Sequence, residues 1–243
     1  MAGEGCMGRW GGLVVRTARA SAQMAARPWR GRRWLVLAPH PDDETLGAGA
    51  LIAQSCRSRT FAGLVYLTDG SGSHPATWGR PRRLVAVRAR EGALALARLT
   101  GSRQWTPVHL GWKDAHPFTC GSAGFERGVR KVSVLCRRSL VDAIAVTAAH
   151  EPHCDHSAAA ELAYAVKARL GGRLVVAEYC IWADAPKRRF HALRTAPMRQ
   201  GLRRWALSSH RSQLSGAYGR GFRLSRHRMR PTPHDTFYVR RTA

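Results

Sequence analysis

Two short segments of the sequence concentrate histidine and carboxylate side chains. The chain has only 15 acidic residues among 243, and three of them are consecutive in the first segment. The first segment contains His40, Asp42, Asp43 and Glu44, and the second contains His150, Glu151, His153, Asp155 and His156. Neutral imidazole and carboxylate are ligands that Zn²⁺ prefers, and a catalytic zinc keeps one position open for water. The two segments therefore predict a catalytic metal site.

The spacing of these side chains suggests a role for each of them. His40 and Asp43 are three residues apart on one tight turn, and His156 would complete a set of two histidines and one carboxylate. Asp42 would then lie beside the metal without binding it, where a general base for the bound water must sit. His153 could face the same site and donate a proton to a leaving group.

The segments that must position these side chains alternate between strand and helix. Short apolar runs predict strands over 34–38, 60–67, 104–111, 142–147 and 173–182, with Pro107 favouring an edge position for 104–111. Helices are predicted over 45–57, 82–99, 131–140 and 157–170, and a loop over 112–129. This alternation predicts an α/β domain of three layers, α/β/α, with a mostly parallel, Rossmann-like sheet.

Each histidine-containing segment follows the carboxyl end of a predicted strand. Ligands of open α/β sheets bind in the crevice outside these strand ends, so we expect the two segments to meet at one rim of the sheet. Acidic residues in this position can also cap the following helix, because their carboxylates accept its free N–H groups. For Glu44, capping is the preferred interpretation.

The two ends of the chain are basic and less regular. Residues 1–33 hold seven arginines and one acid, and we expect 1–32 to be a disordered basic leader. A single domain is expected over 33–215, followed by a basic C-terminal extension, 216–243, that packs on the same domain. A helix is predicted over 198–214 and a short strand over 237–239.

The formal net charge of +25 would attract nucleic acid or another anionic surface. Only four of the 40 basic residues are lysine, so the excess also fits an arginine-rich composition. The sequence contains no helix-turn-helix, zinc-finger or RNA-recognition signature, so no specific nucleic-acid partner is expected, and charge-driven binding is the alternative function. The sequence contains no apolar run of about 18 residues, so no transmembrane helix is predicted. The six widely spaced cysteines predict reduced thiols and a cytoplasmic location.

Several sequence motifs resemble those of the PIG-L/LmbE family of zinc-dependent de-N-acetylases. The most specific is A-P-H-P-D-D-E-T at 38–45, combined with H-x-D-H at 153–156. Supporting matches are T-D-G at 68–70, R-x-R-E at 88–91 and H-R-S-Q at 210–213. The resemblance covers roughly residues 33–215. It implies that His40, Asp43 and His156 bind one zinc ion per chain, and that Asp42 is the general base.

The resemblance also implies roles for residues around the metal. His153 would assist the intermediate or protonate the amine, and Asp155 would orient a neighbouring side chain. Arg88 would line the substrate cleft, and a solvated arginine on the helix surface is the alternative interpretation.

The predicted reaction is removal of an N-acetyl group from an N-acetylated amino sugar or sugar conjugate, which gives acetate and a free amine. The substrate is expected to be a small sugar or glycoconjugate, selected by loops such as 70–82 and 112–129. Oxygen chemistry on Fe(II) could use the same set of two histidines and one carboxylate. The alternation of strands and helices disfavours that alternative.

Overall fold

A sheet of eight strands forms the centre of the part of the chain that the structure describes. The computed structural model describes residues 22–74, 81–171, 173–186, 189–225 and 232–241. The strands are β1 Ala22–Gln23, β2 Trp34–Ala38, β3 Phe61–Thr68, β4 Val108–Trp112, β5 Ala143–Thr147, β6 Val175–Tyr179, β7 Phe190–Arg194 and β8 Thr236–Arg240. Their order across the sheet is β1-β7-β8-β6-β5-β2-β3-β4. All pairs are parallel except those of β8, which runs antiparallel to β6 and β7.

Helices cover both faces of this sheet. They are α1 Asp43–Arg57, α2 Pro81–Thr100, α3 Ala123–Arg138, α4 Cys154–Leu170, α5 Leu202–Leu207 and α6 Arg211–Leu214. Helices α1, α2 and α5 contribute to one apolar cluster, and α3 and α4 contribute to the other. The predicted α/β fold with a mostly parallel sheet is confirmed.

The sequence of β2 shows why it lies in the centre of the sheet. Trp34 and Val36 pack into the cluster on one face, and Leu35 and Leu37 pack into the cluster on the other. Successive side chains of a strand point to opposite faces, so a strand covered on both sides must be apolar throughout. β4 lies at the edge of the sheet, as the proline before it predicts.

Two predicted elements differ from the structure, and strand β7 has no counterpart among the predictions. Helix α3 begins at Ala123, inside the segment predicted to be a loop, and the Ser122 side chain caps it by accepting the N–H of Phe125. The helix predicted over 198–214 is two short helices, because the backbone leaves the helical conformation at His210. β7 was missed, because its five residues are mostly exposed or half-buried and carry no apolar run.

The basic ends of the chain also contribute to the sheet. Residues 1–21 of the expected leader lie outside the described residues. The rest of it is folded: β1 pairs with β7, and the Trp29 ring lies 6.4 Å from that of Trp34. Strand β8, from the expected C-terminal extension, lies between β6 and β7. The three proposed segments of the chain stay a prediction. Within the described residues, no helix is both long and apolar enough to span a bilayer.

Candidate active site

The two histidine-containing segments meet at one rim of the sheet. Strands β2 and β5 are parallel neighbours, so their carboxyl ends lie side by side. His40 and Asp43 follow β2, and His156 lies in the first turn of α4, which follows β5. These side chains line a pocket of about 290 Å³. The expectation that they come together in space is therefore met.

Three side chains that line this pocket bring ligand atoms close to one another. Asp43 Oδ2 lies 3.2 Å from His40 Nδ1 and 3.3 Å from His156 Nε2. All three residues are buried, and their ligand atoms could hold a metal ion together. Two imidazole nitrogens and one carboxylate oxygen are a donor set that fits zinc, with a position left for water.

The second nitrogen of each histidine faces a buried carboxylate. His40 Nε2 lies 2.9 Å from Asp155 Oδ2, and His156 Nδ1 lies 3.3 Å from Glu151 Oε2. Carboxylates in this position orient metal-binding imidazoles and raise their basicity. Asp155 therefore lies where it could orient His40, and its orienting role stays a prediction. The equivalent position of Glu151 beside His156 was not predicted, although Glu151 belongs to the cluster that the sequence singles out.

The ligand side chains shift one another's protonation equilibria. Burial acts to lower the pKa of His156, but the charge of Asp43 and contacts with Asp43 and Glu151 raise it to about 9. Burial acts to raise the pKa of Asp43, but the two histidines hold it well below its usual range. A proton and a metal ion compete for the same imidazole nitrogen. The electrostatics of the cluster therefore favour a cation between these side chains.

Asp42 lies beside the ligand set and lines the same pocket. Burial and the neighbouring charge of Asp43 raise the pKa of Asp42 to about 7, and Arg88 acts in the opposite direction. A carboxyl whose pKa is close to neutrality is suited to accept and release a proton. Its backbone φ is 131°, a left-handed value that is strained for a residue other than glycine.

The sequence of the chain matches the model of a known protein family. The family model for PIG-L, GlcNAc-PI de-N-acetylase, matches residues 35–167, which is more than half of the chain and includes both histidine-containing segments. The chain belongs to the PIG-L family. This membership confirms the predicted family and the prediction of a hydrolytic de-N-acetylase. A search of curated protein sequences gives no match.

Solved structures show the same fold at low sequence identity. The chain is similar to N,N'-diacetylchitobiose deacetylase from Pyrococcus horikoshii, with a TM-score of 0.61, 18% identity, and 86% of this chain and 83% of that chain covered. It is also similar to the zinc-inhibited form of a teicoplanin deacetylase, with a TM-score of 0.61, 16% identity, and coverage of 86% and 97%. The 4-carboxy-2-hydroxymuconate hydratase from Pseudomonas putida matches with a TM-score of 0.50, 15% identity, and coverage of 75% and 80%. These likenesses concern the fold.

Arg88 occupies a buried position in the PIG-L site. Its side chain is 3% exposed, so the interpretation of a solvated arginine on the helix surface is wrong. Its guanidinium donates to the carbonyls of Pro41 and Gly70, and lies 3.8 Å from carboxylate oxygens of Asp42 and Asp114. The pocket is therefore lined by a fixed positive charge next to the candidate base.

His153 is the most exposed histidine of the site, with 38% of its side chain accessible. Burial and the charges of His40 and His156 lower its pKa, which favours the neutral form of the ring. Its Nδ1 accepts the N–H of Asp155, at the start of α4. The neutral ring therefore carries its proton on Nε2, where it can donate a hydrogen bond to a substrate oxygen.

Asp114 is a pocket residue that sequence reasoning missed. Its Oδ1 lies 3.4 Å from His40 Nε2, and burial acts to raise its pKa, but contacts with His40 and Arg88 lower it overall. His40, Asp114, His153 and Asp155 form a second group of potential ligand atoms, which shares His40 with the first. The only available signal was that Asp114 lies in the loop expected to select the substrate.

Proposed function

We propose that the chain is a zinc-dependent hydrolase that removes an N-acetyl group from an N-acetylated amino sugar or sugar conjugate. The observation that carries the proposal is a set of three converging ligand atoms. Beside it lies a buried carboxyl, that of Asp42, whose pKa is raised to about 7. His40, Asp43 and His156 would hold one zinc ion per chain. When bound, the metal would lower the pKa of a water molecule and polarise the amide carbonyl.

Asp42 is the general base in this mechanism. Its carboxylate accepts a proton from the attacking water while the water oxygen forms a bond to the amide carbon. The raised pKa of Asp42 makes it able to release that proton again near neutral pH. Arg88 lies 3.8 Å from the Asp42 carboxylate and limits how far this pKa rises.

His153 stabilises the negative charge that develops on the carbonyl oxygen. Its Nε2–H donates a hydrogen bond to that oxygen, and a fixed donor of this kind is a major source of catalysis in acyl transfer. Because the pKa of His153 is lowered, protonated Asp42 is the better source of the proton for the leaving nitrogen. The carbon–nitrogen bond then breaks, and acetate and a free amine leave.

The pocket walls support a sugar substrate. Leu46, Trp182 and Phe222 form an apolar wall, in which the two aromatic rings meet edge to face with centroids 5.9 Å apart. Ser73 and Asp114, from the two loops expected to select the substrate, supply polar groups. An amino sugar has both an apolar ring face and hydroxyl groups, so it matches a pocket of this mixed character.

Deacetylases among the structural neighbours also support the proposed reaction. Two of the neighbours described above are a diacetylchitobiose deacetylase and a teicoplanin deacetylase. The similarity to a hydratase means that the fold by itself does not decide the reaction. The proposal of N-deacetylation therefore rests on the ligand set and the family. A cytoplasmic location is part of the proposal, supported by five free cysteines in the described residues.

Charge-driven binding to nucleic acid or another anionic surface stays the alternative prediction. Its test is retention on heparin at low salt, together with a steep loss of DNA binding as salt rises. Oxygen chemistry on Fe(II) is disfavoured by the additional buried carboxyl beside the ligand set, which suits hydrolysis.

Acetate release from a panel of N-acetylated amino sugars tests the proposed function. The purified protein is assayed as isolated, after zinc removal with a chelator, and after zinc is restored, with zinc content measured in each sample. We expect acetate release that disappears with the zinc and returns with it. A zinc-loaded, folded protein that releases acetate from no member of the panel would rule out the proposed substrate class.

A further inference from the structure

The backbone at Asp42 is held in a conformation that its own residue type disfavours. Asp42 has φ 131° and ψ −33°, and it lies between Pro41 and the candidate metal ligand Asp43. Strained backbone of this kind persists only where surrounding contacts over-determine it. Other side chains must therefore stabilise this conformation.

Two side chains form hydrogen bonds with opposite ends of the peptide group between Pro41 and Asp42. Glu44 Oε2 accepts the N–H of Asp42 at 2.8 Å, and Arg88 Nη2 donates to the carbonyl oxygen of Pro41 at 2.8 Å. The N–H and the carbonyl belong to one planar unit, so these two hydrogen bonds fix the orientation of its plane. That plane fixes the N–Cα bond of Asp42, and the φ of 131° then sets the direction in which the side chain leaves the backbone.

Glu44 is itself held by a residue from a distant part of the chain. His210 Nε2 lies 3.3 Å from Glu44 Oε1, and both side chains are fully buried. His210 lies between the short helices α5 and α6, and neither residue is among those that line the pocket. A buried carboxylate needs an opposite charge or hydrogen-bond donors, because burial of an unpaired charge is costly.

We propose that His210 is a positioning residue that acts on the general base through Glu44. By holding the Glu44 carboxylate, His210 keeps the peptide between Pro41 and Asp42 in place, and so aims the Asp42 carboxylate at the attacking water. The proposal rests on the proposed role of Asp42 as the base. It gives the H-R-S-Q segment, which the mechanism does not otherwise use, a function in the reaction.

Substitution of His210 tests this role by kinetics. His210→Ala removes the contact, and His210→Gln replaces Nε2 with an amide that can still donate to Glu44. We expect His210→Ala to retain zinc, to lower kcat about 10–100-fold and to change KM less than about twofold, because a small displacement of a catalytic group has effects of this size. His210→Gln should recover most of kcat. His191→Ala, at an exposed histidine of β7, is the matched control and should match the wild type.

Two kinetic results would overturn the proposal. One is a folded, zinc-loaded His210→Ala variant whose kcat is within about twofold of the wild type. The other is a loss of kcat that only follows a loss of zinc. If His210→Ala does not fold, Glu44→Gln replaces it, because the amide retains the size of Glu44 and loses its charge. A zinc-loaded Glu44→Gln variant with wild-type kcat would then refute the proposed role.

A crystal structure of the His210 variant provides a readout that does not depend on activity. We expect the φ of Asp42 to leave the left-handed region and its carboxylate to move relative to Asp43. An unchanged φ of about 131° in the variant would contradict the proposal. If the wild type releases no acetate, the proposed function fails, and the conformation of Asp42 in the variant still decides whether His210 positions it.

Discussion

The two loops that build the site hold their side chains by different means. The first loop, defined as His40–Glu44 and including the first two residues of α1, contains a strained residue at Asp42, and all its polar side chains are buried. The second loop, defined as Glu151–His156, includes the first turn of α4, and His153 caps this helix in an ordinary extended conformation. The Asp42 side chain is 6% exposed, whereas that of His153 is 38% exposed. The first loop therefore fixes the proposed base, and the second presents the proposed donor where a substrate can reach it.

This difference indicates where the site tolerates change. Strain of this kind costs about 1–3 kcal/mol and is retained because the surrounding residues stabilise it. A group held in this way has no substitute nearby, whereas water can approach an exposed group and partly replace it. Substitutions in the first loop should consequently reduce activity more than equivalent substitutions in the second.

The largest effect is expected at Asp43, the residue that connects the two loops. Its Oδ2 lies within 3.3 Å of an imidazole nitrogen from each loop, so Asp43→Ala removes the ligand atom between His40 and His156. We expect loss of bound zinc and of measurable acetate release. Zinc analysis and the acetate assay provide the measurements, and Glu161→Ala, at an exposed position of α4, is the control. Full activity in zinc-loaded Asp43→Ala would exclude Asp43 as a ligand.

The next largest effect is expected at Asp42. Asp42→Asn keeps the size of the side chain and removes its ability to accept the proton of water. We expect kcat to fall by up to about 10⁴-fold, the upper range for a general base, while zinc content stays at the wild-type level. Steady-state kinetics on zinc-loaded protein tests this expectation. A variant that binds zinc and retains full activity would exclude Asp42 as the base.

The sequence predicted the parts of the site that depend on strand ends. Parallel strands bring their carboxyl ends to one rim, so the positions of His40 and His156 followed from β2 and β5. Residue type then indicated a metal, because few side chains other than histidine and carboxylate bind zinc. A separate argument predicted β4 as an edge strand, because proline lacks the N–H that a central strand must donate.

Other features depend on contacts between distant residues, which spacing does not reveal. The sequence does not show that Glu151 is the partner of His156. Glu151 is positioned by the backbone N–H groups of Ile181 and Trp182, which follow β6 and are distant in sequence. The peptide between Pro41 and Asp42 is hydrogen-bonded by Arg88 and Glu44 together. The short helices around His210 were predicted as one, because the helical pattern continues through the interruption.

A smaller effect is expected at His153, the proposed donor of the second loop. Asn is a suitable test residue because it can accept the N–H of Asp155 and so keep the cap of α4, but it lacks a donor in the position of Nε2. We expect His153→Asn to lower kcat about 10²-fold, the size of effect found for one oxyanion donor, with zinc retained. Kinetics of zinc-loaded protein gives the comparison. A decrease larger than that of Asp42→Asn would reverse the proposed order of the two loops.

The smallest effect on catalysis is expected from the carboxylates that lie beside the two histidines. Asp155→Asn acts on the imidazole of the first loop, and Glu151→Gln acts on that of the second, so the pair compares the two loops directly. Each substitution should weaken zinc binding about 10–100-fold, and activity at saturating zinc should change less. Competition with a chelator measures the affinity. Glu151 also accepts the N–H groups of Ile181 and Trp182, so Glu151→Gln should lower Tm as well. Wild-type zinc affinity in both variants would mean that the ligand geometry is set by the backbone of each loop and not by these carboxylates.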